Sequence, residues 1–145
     1  MRATRPPLND QGETLIELII AIAIMGIAVV AIVSGIVTSI LMSDVHRKEA
    51  TAGAYVRSYA EAVEKYVIAG NYDASGSPNY TPATVGFTAP AGFTASVTGV
   101  QCWSDSAKVF GSCSTDVGVQ KVTLAVATNT DTRANESLVV IIRKP

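Results

Sequence analysis

The sequence predicts an α+β protein, a long N-terminal helix packed on a small three-stranded antiparallel sheet. Three observations carry this expectation. Residues 15–42 form a long apolar run with one ionisable side chain, and residues 51–69 keep their apolar side chains at helical spacing. Residues 70–92 are dense in glycine, proline, serine and asparagine, which marks an irregular connection. Beyond them lie three short segments with strand character. At 145 residues the chain has room for one small domain.

The apolar run comes first. Between residues 15 and 42 the only ionisable side chain is Glu17. A helix of this length spans roughly 42 Å, against a bilayer hydrocarbon core of about 30 Å. A buried core helix is the alternative, but the residues after Gly70 are too few to wrap a rod that is apolar on every side. The lipid bilayer is therefore the first partner expected. A carboxylate in hydrocarbon is costly unless it protonates or finds a partner. The stretch QGETLIELII, with Glu13 after Gly12 and Glu17 four residues on, asks what Glu17 pairs with.

Residues 1–12, MRATRPPLNDQG, read as a polar leader with two arginines and a proline pair that disfavours helix. A secretory signal has an apolar region of about 7–15 residues closed by a small-x-small cleavage site. Here the apolar region is about twice as long and no such site closes it, so any removal falls before the run. Arg2 and Arg5 precede the span, and Arg47 and Lys48 follow it, offset by Asp44 and Glu49; orientation from flanking charge is weak. The formal net charge of -1 and the lack of a basic face give no direct nucleic-acid signal.

Past the apolar run the helix is expected to continue. Tyr55, Val56, Tyr59, Ala62, Val63, Tyr66 and Val67 fall on one helical face, with Arg57, Ser58, Glu61, Glu64 and Lys65 opposite. Glu61 and Lys65 stand four apart in the favourable order. Gly70 supplies the C-terminal cap. The reading is thus one helix, roughly 85 Å long, with residues 13–43 as its transmembrane part and 44–69 as its amphipathic half. Capping of a separate helix by Ser43 and Asp44 is the alternative.

Residues 70–92 form the connecting loop and residues 93–145 the sheet. Residues 93–99 alternate, with Phe93, Ala95 and Val97 on one side. Residues 120–128 alternate more clearly, with Val122, Leu124 and Val126 inward and Lys121 and Thr123 outward. Residues 138–142 are nearly all apolar and pair with the previous strand through a hairpin loop. The stripe of Tyr55, Tyr59, Val63 and Tyr66 needs a partner surface, and so does the sheet. Cys102 and Cys113 flank a polar loop; free thiols or half a metal site are alternatives to a disulfide. No other cysteine exists and the single histidine, His46, is remote, so a disulfide is the better reading, which places this domain outside the cytoplasm.

No catalytic constellation is visible. One histidine beside the membrane leaves no Ser-His-Asp or Cys-His set for the outer domain. Asp73, Asp105, Asp116 and Asp131 sit in turn-like sequence, where aspartate is usual. Residues 129–136 carry scattered oxygen ligands without the spacing of a calcium loop. No cofactor and no metal site are expected. Trp103 is expected to pack against the disulfide, and Tyr72 and Tyr80 either to make subunit contacts or to cover the sheet.

The leader, the segment Gly12-Glu13-Thr14-Leu15-Ile16-Glu17-Leu18 and the apolar helix together resemble the start of a type IV prepilin or pseudopilin. The match covers residues 8–35 directly, and the long helix, loop and small sheet are similar to the pilin fold over nearly the whole chain. The resemblance implies a structural protein, not an enzyme. It implies that a membrane prepilin peptidase cuts after Gly12, exposing Glu13 as the new N-terminus, whose amine the same enzyme often methylates. It further implies that Glu17 neutralises the terminal amine of a neighbouring pilin-like subunit during assembly by an ATPase-driven membrane platform. An amine and a carboxylate that pair are far less costly in lipid than Glu17 alone. Pairing within one chain is the alternative.

This sequence departs from the family pattern twice. Glu13 stands where the family usually has phenylalanine, and Ser34, followed by Gly35, stands where major pilins commonly carry a helix-breaking proline. Gly26 matches a common family glycine. The missing proline leans toward a minor pilin or pseudopilin. Ala31 and Gly35 form a small-xxx-small pair that Ala28 and Ser39 extend, a surface for helix packing. The expected role is a subunit of a type IV pilus-type filament, first in the cytoplasmic membrane as a single-pass protein with its C-terminal domain outside, then on the cell surface. A pseudopilin of a type II secretion or DNA-uptake system is the runner-up. A signal-anchored extracytoplasmic binding or enzymatic domain is the rival from another class.

Overall fold

The computed structural model describes residues 15–130 and 134–145. Within them the elements run α1 (Leu15–Ile68), α2 (Pro82–Val85), β1 (Phe93–Ser104), β2 (Val109–Gly111), β3 (Val119–Thr128) and β4 (Asn135–Arg143). The chain divides into two compact units, one up to Leu41 and the other from Met42 to Pro145.

The first unit holds the apolar part of α1, and its side chains face outward on all sides, from Leu15 at 76% exposure to Leu41 at 63%. Among the described residues this is the one helix long and apolar enough to cross a membrane. Ser43 and Asp44 are helical and begin no second helix. Asp44 instead binds Arg47 Nη2 at 3.0 Å and Lys48 Nζ at 2.6 Å, one turn further along.

In the second unit, the amphipathic half of α1 lies on a four-stranded antiparallel sheet of order β2-β1-β3-β4. The α+β class and the helix-on-sheet arrangement are those the sequence predicts. The expected three strands become four because β2, only three residues long, folds back on the end of β1, pairing Phe110 with Trp103. A segment so short carries no alternation to read. The first strand is longer than residues 93–99. A register shift between Val97 and Gly99 accommodates one extra residue, after which Val100 and Cys102 return to the inner face.

The core joins Ala52, Val56, Tyr59, Ala60, Val63 and Val67 of α1 to Val122, Leu124 and Val126 of β3 and Ile142 of β4. Tyr55 and Tyr66 are half-buried at its edge. The Tyr55 and Phe93 rings meet edge to face at 5.4 Å, and Tyr59 stacks on Phe87 at 4.9 Å. Gly70 ends the helix in the left-handed region, φ 91°, and its N–H reaches the Val67 carbonyl at 3.0 Å. The connection 70–92 contains α2 and is pinned at Tyr80, which is fully buried. Glu61 and Lys65 do not form the expected ion pair; the pairs among the described residues are those of Asp44, His46–Glu49 and Asp105–Lys108.

Candidate functional site

Two regions stand out: the head of α1, and the polar network that fixes the loop to the sheet. In the head, Gly12 and Glu13 lie outside the described residues. Glu17 stands in the first turn of α1, where its negative charge favours the helix dipole. Its side chain is exposed. The small residues Ala28, Ala31, Gly35 and Ser39 recur at spacings of three and four, so they share one helical face. A Cβ built at Gly26 or Gly35 would meet nothing within 4 Å, so both leave open backbone for another helix to approach. At Ser34 the helix keeps its backbone: the Thr38 hydroxyl donates to the Ser34 carbonyl at 2.9 Å. A threonine bonding back in this way weakens and bends a helix only slightly, unlike a proline.

The sulfurs of Cys102 and Cys113 are bonded, across a sequence separation of 11 residues. Strand alternation turns Trp103 to the opposite face from Cys102. There it packs on Phe110 and its indole N–H donates to Asp105 at 2.9 Å, so it does not cover the disulfide as expected.

The network sits between α1, the connection and β3. The Tyr59 hydroxyl donates to the Tyr80 carbonyl at 2.7 Å, and the Tyr80 hydroxyl donates to Gln120 Oε1 at 2.9 Å. Gln120 Nε2 donates to the Asp73 carbonyl and to Asp116 Oδ2, both at 2.7 Å. The Tyr72 hydroxyl donates to the Asp116 carboxylate at 2.8 Å. Asp73 accepts the N–H groups of Ser75 and Asn79, each at 2.9 Å, and the first of these contacts contributes most to holding its carboxyl below the usual range. Burial pushes the Tyr59 hydroxyl up to about 12. Tyr80 rises for the same reason, and Tyr72 rises through burial and the Asp116 carboxylate beside it.

Each polar group of this network is bonded to another, which makes it a structural clasp with no free acid, base or nucleophile at its centre. Sequence reasoning placed Asp73 and Asp116 in turns, and both do shape turns. Gln120 was missed; a glutamine on the inward side of an alternating apolar strand was the available signal. Among the described residues no three histidine, cysteine, aspartate or glutamate side chains gather as a metal site.

Residues 8–33 match a family model described as the prokaryotic N-terminal methylation motif. These residues are the type IV prepilin-type signature. The match takes in Gly12, Glu13 and Glu17 and runs through Gly26 to Ala31 and Val33. No curated protein matches the chain, and no solved structure does. The chain thus carries a prepilin-type signature at the head of an exposed apolar helix, followed by an α+β domain. The signature implies processing by a prepilin peptidase and assembly with other pilin subunits.

Proposed function

We propose that this chain is a structural subunit of a type IV pilus-type filament. The leader 1–12 is removed after Gly12, and the segment 13–43 holds the chain in the membrane and then forms the filament core. The domain carried by residues 44–145 stays outside. Glu17 pairs with the amine of a neighbouring subunit's Glu13, and Gly26, Ala28, Ala31 and Gly35 let the helices pack. The observation that carries this reading is an apolar helix, exposed on every side, that begins inside the matched signature. In lipid that surface is solvated by acyl chains, and in a filament by the same helix of other copies.

Mass spectrometry of the N-terminus tests the processing step. The expected chain begins at Glu13; one beginning at Met1, or cut after the apolar run, sinks the reading. Within it, Glu17→Ala leaves cleavage intact and reduces incorporation into filaments. Incorporation at the ordinary level would remove Glu17 from this role. Ser34 in place of proline favours a second reading, a minor pilin or a pseudopilin of a secretion or DNA-uptake system. Abundance in sheared filaments separates these from a major subunit.

A further inference from the structure

The unit from Met42 to Pro145 is a helix laid on a sheet, so it turns two different faces outward. One is the outer side of the sheet. Cross-strand pairing sets Trp103 beside Phe110, Lys121 beside Ile141 and Val119 beside Arg143 on that side. Trp103, Phe110, Val119, Ile141 and Arg143 line a shallow depression of about 360 Å³. Its walls are set in place: the Trp103 and Phe110 rings meet edge to face at 5.2 Å, and Lys121 Nζ stands 5.2 Å from the Phe110 centroid. Ile141 at 56% and Val139 at 53% exposure leave this face apolar, with two cations along it. An apolar patch with a charged rim is the usual mark of an interface.

The other face is the solvent side of α1. Near its end Ile68 is 77% exposed, the most exposed large apolar side chain among the described residues. Glu64 and Glu61, one and two turns earlier, lie within about 40° of Ile68 around the helix, while Lys65 is offset by about 60°. Both glutamates are exposed. Among the described residues, no ion pair uses Glu61, Glu64, Lys121 or Arg143. One face is thus an apolar hollow flanked by the cations of Lys121 and Arg143, and the other an apolar knob flanked by the carboxylates of Glu61 and Glu64.

We propose that the outer face of the sheet receives the end of α1 from a second copy of this chain, with Ile68 in the depression and Glu61 and Glu64 toward Arg143 and Lys121. Unlike faces meet in this contact, so each copy keeps one of each free and the contact repeats along an open assembly. Charge fixes the register and rejects wrong partners, and the apolar seat supplies the attraction. The inference deepens the filament reading and rests on it for the meaning of the repeat, although the contact itself can be read in the membrane.

Cysteine cross-linking of the full-length chain tests it, because the chain has only Cys102 and Cys113 and both are consumed in the disulfide. Two differently tagged copies are co-expressed, one with Ile68→Cys and the other with Ile141→Cys, and oxidised in membranes. The expected mixed dimer exceeds a control pairing Ile68→Cys with Ser96→Cys about tenfold. Adding Arg143→Glu to the second copy lowers its yield about five- to tenfold, and adding Glu64→Arg to the first restores it, as coupled charges require. A product dominated by identical positions, a product with the mass of another protein, or no product from inserted chain each overturns the proposal. A chain that is cut and builds filaments without the mixed dimer overturns this contact alone. A mixed dimer from a chain that never leaves the membrane upholds the contact and overturns the filament reading.

Discussion

The Tyr80 hydroxyl donates to Gln120 Oε1 at 2.9 Å inside the core and also accepts the Asp73 N–H at 3.1 Å. One phenol therefore joins the connection to the middle of the sheet. Tyr80 is fully buried and so is Gln120, and neither could find water in place of the other. Tyr80→Phe should lower the stability of the Met42–Pro145 unit by about 1–3 kcal/mol, the penalty of leaving buried polar groups unpaired. Denaturant unfolding followed at the single Trp103 measures it. A change within error would mean that the clasp contributes nothing net.

Alkaline pH should weaken the domain through the tyrosines. Burial raises the Tyr59 hydroxyl from its ordinary 10.0 to about 12, so the folded state holds a proton that the unfolded chain releases earlier. Stability is complete below pH 10 and falls as pH climbs toward 12, because the folded state binds more protons over that window. Tyr72 and Tyr80, both raised, act in the same direction. Melting temperatures from pH 8 to 11.5 should show this decline, and Tyr59→Phe should flatten it. An equal slope in that variant would assign the decline elsewhere.

Reduction of the Cys102–Cys113 bond should cost about 2–3 kcal/mol, mainly by freeing the unfolded chain. The native loss should be local. β2 has three residues and pairs only with β1, so Val109–Gly111 depends on the covalent closure, whereas β3 pairs with neighbours on both sides. Hydrogen exchange after reduction should therefore speed up at residues 104–113 and leave Val122 and Leu124 protected. Uniform loss of protection would show that the disulfide supports the whole sheet.

Much of this arrangement was legible in the sequence, and what was not has physical reasons. The helix periodicity of Tyr59, Val63 and Val67, and the alternation of Val122, Leu124 and Val126, report burial directly because one face of each element is apolar. Ala52 and Ala60 were missed because alanine is equally at home on an exposed helix face and in a tight contact. The longer reach of β1 was hidden because the irregularity between Val97 and Gly99 breaks the period of two. The partners of Gln120, Asp73 and Asp116 lie 40 or more residues away or across a turn, which no local pattern encodes. At the head of α1 the reverse holds. There the residues are readable one by one, while the charge partner proposed for Glu17 belongs to another molecule.

The small face of α1 gives the last expectation. If helices of neighbouring subunits approach along Ala28, Ala31 and Gly35, a large side chain there must separate them. A Cβ at Gly35 meets nothing within 4 Å, so Gly35→Ile adds its bulk on the open side of the helix, and its apolar character keeps the chain in the membrane. Cleavage and membrane level should stay as they are, while the fraction recovered in sheared filaments falls several-fold. Ile36→Leu, next to it and off that face, should leave recovery unchanged. Equal recovery of the two variants would remove the small residues from the packing surface and leave dispersion along the whole apolar helix as the force that joins subunits.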